Sequence, residues 1–184
     1  MKIVFNSPVI LTFSFICALV YIFTGPLGLF KDAFVLYPFW NVGDLIWYFR
    51  LFSNTVGHAN SAHLMANLPL ILLLGPIVEQ RYGSKRTLFI FLITALISSL
   101  IHITFSNYAL LGASGIVFML ILLVSLVNTK NNEIPLTFIL VVILFLGNEV
   151  LGMFRDDNIS QGTHIIGGII GTFYGFLLNK IKPL

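Results

Sequence analysis

Charge is the scarcest feature of this 184-residue sequence, since only 9% of its residues are charged while 58% are hydrophobic. A soluble domain carries about 25% charged residues, so this composition excludes a large water-soluble domain. Cysteine is almost absent, and the single Cys17 cannot form an internal disulfide, which excludes a disulfide scaffold. The net charge of +3 is better explained by membrane topology than by nucleic-acid binding, so we expect no nucleic-acid partner.

The few charged residues are clustered and leave five long stretches without Asp, Glu, Lys or Arg: 3–30, 51–78, 87–129, 134–148 and 158–179. A helix needs about 20 apolar residues to cross about 30 Å of hydrocarbon, and the longest stretch suits two crossings. We therefore predict an all-α polytopic membrane protein, a single domain over residues 1–184 with six transmembrane helices in the lipid bilayer. The predicted spans are about 9–23, 62–78, 88–105, 114–127, 134–151 and 164–180. Ser7 and Ser61 are the predicted N-caps of the first two spans.

Six spans place both termini on one side of the membrane, and most basic residues fall on that side: Lys2, Arg81, Lys85, Arg86, Lys130, Lys180 and Lys182. The other side is mainly acidic. It holds three basic residues, Lys31, Arg50 and Arg155, against five acidic ones, Asp32, Asp44, Glu149, Asp156 and Asp157. Short basic loops stay in the cytoplasm. Both termini are therefore predicted to be cytoplasmic, and the short extramembrane parts suit a bacterial inner membrane.

Two connections between the spans are unusual. Residues 25–61 form a long, aromatic-rich segment, which is typical of an anchor at the membrane–water interface. Residues 152–163 are polar and precede the sixth span directly, so they form either a plain loop or a mobile lid.

Polar side chains inside the spans are costly in lipid and require an explanation. Ser114 lies between small residues, Gly112, Ala113 and Gly115, and taken alone this pattern indicates close helix packing. His164 is followed on its own helix face by glycines at 167, 168, 171 and 175. That face also indicates close packing, and it would equally let the histidine reach a serine on the adjacent helix.

His63 and Asn67 are spaced i, i+4, which puts them on one face of the second span near its outer end. Taken alone, the pair could form hydrogen bonds between helices. His58 lies where the long loop enters this helix, and we interpret it as stabilising the loop. His102 is interpreted as structural as well.

The predicted topology brings four of these side chains to one side of the membrane. The second, fourth and sixth spans all run from outside to inside, and Ser114, His164, His63 and Asn67 lie near their starts. A serine, a histidine that can deprotonate it and two further donors are the groups needed for acyl transfer. The histidines are not arranged as a metal-binding motif, and no nucleotide-binding glycine loop is present, so we expect neither a metal nor a cofactor.

The sequence resembles the rhomboid intramembrane serine proteases of the compact bacterial six-helix type. The resemblance extends over residues 50–175 and is carried by His58-x₄-His63-x₃-Asn67, Gly75-x₃-Glu79-x₃-Gly83-Ser84, Gly112-x-Ser114-Gly115 and His164-x₂-Gly167-x₃-Gly171. It implies that transmembrane segments of membrane proteins are the substrates. It also implies Ser114 as the nucleophile and His164 as the base, with His63 and Asn67 stabilising the oxyanion.

Three positions depart from the family pattern: Phe49 precedes Arg50 where tryptophan is common, Thr163 replaces an alanine, and Phe118 replaces a tyrosine that supports the histidine ring. Stacking of Phe118 on His164 survives the last change. Because the acidic residues Asp44, Glu149, Asp156 and Asp157 lie in loops or at a helix end, we expect a Ser–His dyad without an aspartate. His164 would then be held by stacking and helix packing alone.

Two other functions remain open from the sequence. A non-catalytic rhomboid-like protein that binds membrane helices would share the fold, although such proteins typically lack the serine or the histidine, and both are present here. A small channel or transporter with a polar site near the membrane midplane would carry a flux that Ser114→Ala does not change.

Overall fold

The computed structural model describes residues 1–127, 129, 133–152 and 160–179. Within these ranges the chain is helical, and its β-pairing is an isolated antiparallel bridge between Leu36 and Leu110. The α-helices are α1 Pro8–Thr24, α2 Leu45–Ser53, α3 Ser61–Tyr82, α4 Ser84–Phe105, α5 Ser114–Ser125, α6 Leu136–Val141, α7 Gly147–Gly152 and α8 Gln161–Asn179. Short 3₁₀ turns occupy Lys31–Phe34 and Asn54–Val56, and a π-helical turn, Val142–Leu146, joins α6 to α7.

The predicted all-α class is confirmed for the described residues, and each predicted span has a helical counterpart. Two helices, α3 and α4, are long and apolar enough to cross a membrane, whereas Pro8–Thr24, Ser114–Ser125 and Leu136–Gly152 are apolar but shorter. The count of six spans therefore stays a prediction. Of the residues used to orient the chain, Lys130, Arg155, Asp156, Asp157, Lys180 and Lys182 lie outside the described residues, as does most of the predicted loop 152–163.

The long segment between α1 and α3 is folded rather than merely aromatic. It contains α2, and Leu36 and Trp47 pack with Ile103 and Leu110 in a small hydrophobic cluster. The Trp47 indole N–H donates to the carbonyl of Phe39 at 3.1 Å. Several other aromatic side chains of the segment are exposed, Phe39, Trp40, Tyr48 and Phe49 among them, and their location at the interface stays a prediction.

The start of α1 is capped by a distant carboxylate. Ser7 occupies the predicted N-cap position, but its side chain forms no capping hydrogen bond. Instead the buried Glu79 of α3 accepts from the amides of Val9 at 3.0 Å and Ile10 at 3.1 Å, and from the Ser84 hydroxyl at 2.7 Å. A carboxylate at a helix N-terminus satisfies amides that have no partner within the helix. Glu79 thus joins α1 to the connection between α3 and α4.

Helix α5 occupies the centre of the bundle, and its side chains from Ile116 to Leu123 are mostly buried. Helix α8 packs against it through glycines: a Cβ atom at Gly167 would overlap the carbonyl oxygen of Gly115, and one at Gly171 would overlap that of Met119. The predicted close approach is confirmed at these two glycines, with α5 as the partner helix. The contact sets the distance between the helices that carry Ser114 and His164.

Substitution of Gly171 by valine should therefore destabilise the bundle. The added side chain meets backbone atoms that cannot rotate away, so we expect a loss of about 1–3 kcal/mol or more in the free energy of unfolding. Thermal unfolding in detergent measures it. Gly162→Ala, on the same helix, is the control, since a Cβ at Gly162 has no neighbouring atom within 4 Å. This substitution should leave the stability unchanged or slightly higher. Equal stability of the two variants would contradict the close contact.

Candidate active site

Ser114 is the first residue of α5, and the loop before it is anchored to the long segment between α1 and α3. The amide of Gly112 donates to the carbonyl of Asn54 at 2.8 Å, and Leu110 exchanges two backbone hydrogen bonds with Leu36. Gly112 has a φ of +129°, which an L side chain rarely adopts. No side chain caps α5 at Ala113, so the first turn keeps backbone N–H groups for a ligand.

His63 and Asn67 project from the first two turns of α3. Asn60, rather than the predicted Ser61, is the N-cap of this helix, and its side chain accepts from the amide of His63 at 2.8 Å. A Cβ at Gly112 would lie 2.5 Å from the His63 ring, so the glycine also makes room for this imidazole. Asn67 is buried, and its amide nitrogen donates to the carbonyl of His63 at 2.8 Å.

A single cavity of about 630 Å³ brings the predicted site residues together. Ser114 from α5, His164 from α8, and His63 and Asn67 from α3 all line it, together with Phe118. Gly112 and Gly115 flank the serine in the chain, and Gly167 and Gly171 form the helix contact behind it. In the part of the chain that the structure describes, no three His, Cys, Asp or Glu side chains are close enough together to hold a metal ion.

The His164 ring stacks on Phe118, one helical turn after the serine. The ring centroids are 4.4 Å apart and the planes differ by 5°. The expected stacking is confirmed, and it needs no hydroxyl on the aromatic ring.

A carboxylate also contacts His164, which the sequence reasoning missed. Oε2 of Glu149, on α7, lies 2.7 Å from Nδ1 of His164, and both side chains are buried. The expectation that stacking and helix packing alone hold His164 is therefore wrong. The π-helical turn Val142–Leu146 directly precedes α7, and such a turn changes the register of the residues that follow it. Glu149 lies at a helix end, as the sequence allowed, but its side chain faces α8.

His58 is buried beside the cavity but does not line it. Its Nδ1 is 3.2 Å from the carbonyl of Val56, and its ring packs edge-on against His63 with the centroids 5.1 Å apart. Burial, with a smaller contribution from His63, lowers the pKa of His58 to about 4, so the ring is neutral at pH 7. These contacts agree with the predicted structural role.

His102 joins the two loops that lead into α5 and α8. Its Nε2 lies 2.8 Å from the carbonyl of Tyr108, and its Nδ1 lies 3.0 Å from the hydroxyl of Ser160. Since the carbonyl can only accept, Nε2 donates and Nδ1 accepts from the serine. The predicted structural role of His102 is supported, whereas Ser160, which lines the cavity, carried no signal in the sequence.

Comparison with known sequences agrees with this arrangement. The sequence model of the Rhomboid domain matches residues 47–181, which include every residue of the cavity. The chain belongs to the rhomboid family.

Curated rhomboid relatives cover most of the chain. Rhomboid protease GlpG of Haemophilus influenzae is 24% identical over 173 residues, which are 91% of this chain and 88% of that protein. Rhomboid protease GluP of Bacillus subtilis is 36% identical over 132 residues, which are 69% of this chain but 25% of GluP. GlpG of Enterobacter sp. is 28% identical over 87% of this chain and 59% of its own length. These relatives are named as proteases, and they support the prediction of an enzyme of that class.

The role of the stacking between Phe118 and His164 can be tested without a natural substrate. Phe118→Ala removes the ring, and since an aromatic pair is worth about 0.5–1.5 kcal/mol beyond its burial, we expect labelling of Ser114 by a fluorophosphonate to slow by about 2- to 10-fold. Phe118→Tyr keeps the stacked ring and should label at nearly the wild-type rate. The second-order rate constant of labelling measures both variants, and equal rates for alanine and tyrosine would contradict a role for stacking.

Proposed function

We propose that this rhomboid-family chain is an intramembrane serine protease, which cleaves transmembrane segments of other membrane proteins near their outer boundary. Ser114 and His164 are the reacting pair. The observation that carries the proposal is their shared cavity, to which α3 adds His63 and Asn67.

The reaction follows from the chemistry of this pair. His164 takes the proton of the Ser114 hydroxyl through Nε2 while Oγ attacks the peptide carbonyl of the substrate. The protonated histidine then gives its proton to the leaving amine, and an ester to Ser114 remains. Water, deprotonated by His164, attacks this acyl-enzyme and releases the second product.

The negative oxygen formed at each attack needs donors. Backbone N–H groups of the first turn of α5 supply some, and the positive end of the helix dipole favours a negative charge there. We assign His63 and Asn67 as side-chain donors. The Asn67 amide nitrogen carries two hydrogens, so its bond to the carbonyl of His63 leaves one for the oxyanion.

The length of α5 supports an active site below the membrane surface. Its 12 residues make a helix about 18 Å long, which is shorter than the roughly 30 Å of hydrocarbon in a bilayer. Irregular backbone at membrane depth is tolerated only where protein buries it or where it lines a wet cavity. The loop before Ser114 meets this condition, because Leu110, Gly112 and Ala113 are buried, and Leu110 and Gly112 are hydrogen-bonded to the segment between α1 and α3.

The membrane arrangement is part of the proposal. We assign α1, α3, α4, α5, the broken helix α6–α7, and α8 as six spans of one domain in a bacterial inner membrane, with both termini in the cytoplasm. A helix hides its own peptide bonds, so the substrate segment must be extended locally. We therefore expect small or helix-destabilising residues near its cleavage site.

The decisive experiment is a cleavage assay in detergent with a single-span substrate that carries small residues at its outer boundary. Ser114→Ala and His164→Ala should abolish cleavage and leave the helix bundle folded, which thermal unfolding in detergent checks. Ser125→Ala is the matched control at the other end of α5, where the hydroxyl bonds to the carbonyl of Leu122, and it should cleave as the wild type does. Normal cleavage by either site variant would refute the assignment.

Asn67→Ala should weaken cleavage without eliminating it. Loss of one oxyanion donor lowers the rate by about 10²–10³-fold, while the nucleophile and base remain in place. The kcat of the variant in the same assay measures this effect. A variant that cleaves at the wild-type rate would remove Asn67 from the oxyanion site.

A further inference from the structure

Two acidic side chains are buried in the described part of the chain, Glu79 and Glu149. Burial of a carboxylate is costly unless donors compensate for the lost water. Glu79 has three such donors at the start of α1 and at Ser84, and these bonds explain its burial by fold stability. Glu149 has a different partner, Nδ1 of His164 at 2.7 Å.

The contact selects one protonation pattern of the imidazole. An ionised carboxylate can only accept hydrogen bonds, so Nδ1 must carry the hydrogen that bridges to Glu149. In the neutral ring, Nε2 then holds the lone pair. Nε2 is the atom that must accept the proton of Ser114 for His164 to act as a base.

Glycines allow the helix that carries Glu149 to dock close to α8. A Cβ at Gly168, one turn after His164, would lie 2.6 Å from a methyl carbon of Leu146, in the π-helical turn. A Cβ at Gly152, at the end of α7, would lie 3.2 Å from Gln161 at the start of α8. The carboxylate is therefore held by contacts on both sides of it in the chain.

We propose that Glu149 is a positioning residue for His164, so that the site is a Ser–His–Glu arrangement and not a dyad. This inference rests on the proposed function. Glu149 accepts the Nδ1 hydrogen in the plane of the ring while Phe118 stacks on its face, so the two contacts together fix its orientation. When the Ser114 proton moves to Nε2, the carboxylate stabilises the imidazolium and does not take the proton itself.

The test compares two substitutions of Glu149 with a control at the other buried carboxylate. Glu149→Leu removes the acceptor at similar volume, and Glu149→Gln keeps an oxygen that can still accept from Nδ1 but removes the charge. Glu79→Gln makes the same change at a carboxylate outside the cavity. Thermal unfolding in detergent identifies any general loss of stability.

Kinetics separate positioning from substrate binding. Loss of the orienting carboxylate lowers kcat about 10⁴-fold in a Ser–His–Asp triad. Because stacking on Phe118 remains, we expect a smaller loss here, about 10- to 10³-fold in kcat for Glu149→Leu and less for Glu149→Gln, with KM unchanged. A kcat within about 2-fold of wild type for Glu149→Leu would overturn the inference.

Nitrogen NMR of ¹⁵N-histidine-labelled protein measures the tautomer of His164. This tautomer should not change on substitution of Glu149 if the role of Glu149 is purely structural. At a pH about 2 units above the ordinary histidine pKa of about 6.5, the spectrum reports which ring nitrogen carries the hydrogen. His58 and His102 are internal references, because backbone carbonyls accept from Nδ1 of the first and Nε2 of the second. A His164→Gln spectrum identifies the His164 signals.

Wild type and Glu79→Gln should show the hydrogen of His164 on Nδ1, and Glu149→Leu should show a mixture or the Nε2 form. A lower kcat for Glu149→Leu with the Nδ1 form retained would overturn the inference and leave Glu149 a packing residue. Failure of the proposed function has a different signature: wild type would neither cleave nor react with a fluorophosphonate at Ser114. The NMR comparison would still decide whether Glu149 orients His164.

Discussion

The site depends on the close contact between α8 and α5, in which glycines of α8 pack directly against the backbone of α5. Where Gly167 and Gly171 face the carbonyl oxygens of Gly115 and Met119, a Cβ atom would overlap them. Any larger residue would push α8 outward and carry His164 away from the helix of Ser114. The stacking of His164 on Phe118 depends on the same spacing, because Phe118 lies one turn after the serine on α5.

Hydrogen bonds outside the site fix the remaining parts around this helix pair. The loop before Ser114 is hydrogen-bonded to the backbone of Leu36 and Asn54. The Asn54 side chain in turn donates to the hydroxyl of Ser99 in α4 at 2.8 Å. His102 ties the same loop to Ser160, directly before α8. In lipid, an unpaired backbone group costs several kcal/mol, so these bonds permit an irregular chain to lie beside Ser114, the proposed nucleophile. The polar connections therefore position the serine while they satisfy the buried backbone.

Much of the structure could be predicted from the sequence. The charge-free stretches predict the helices, and the glycine face after His164 predicts the contact of α8 with a neighbouring helix. The shared direction of three spans predicts that Ser114, His164, His63 and Asn67 lie together. The sequence next to a helix end does not predict its cap when a distant residue provides it. The N-terminus of α1 is capped by Glu79, about 70 positions away in the chain. Glu149 was missed because the π-helical turn before it leaves no mark in the sequence pattern. Yet the predicted topology contained the clue, since the fifth span ends on the side where the sixth begins with His164.

The two buried carboxylates, Glu79 and Glu149, differ in their hydrogen-bond partners, and we assign them different roles. Three donors surround Glu79, and this compensates for its removal from water. Glu149 has one described partner, the His164 ring, and a buried pair of this kind often stabilises a fold less than apolar side chains of the same volume would. Stability alone would therefore favour a leucine at position 149. In the proposed mechanism, a carboxylate there supplies the orientation and charge that the imidazole needs when it accepts the proton of Ser114.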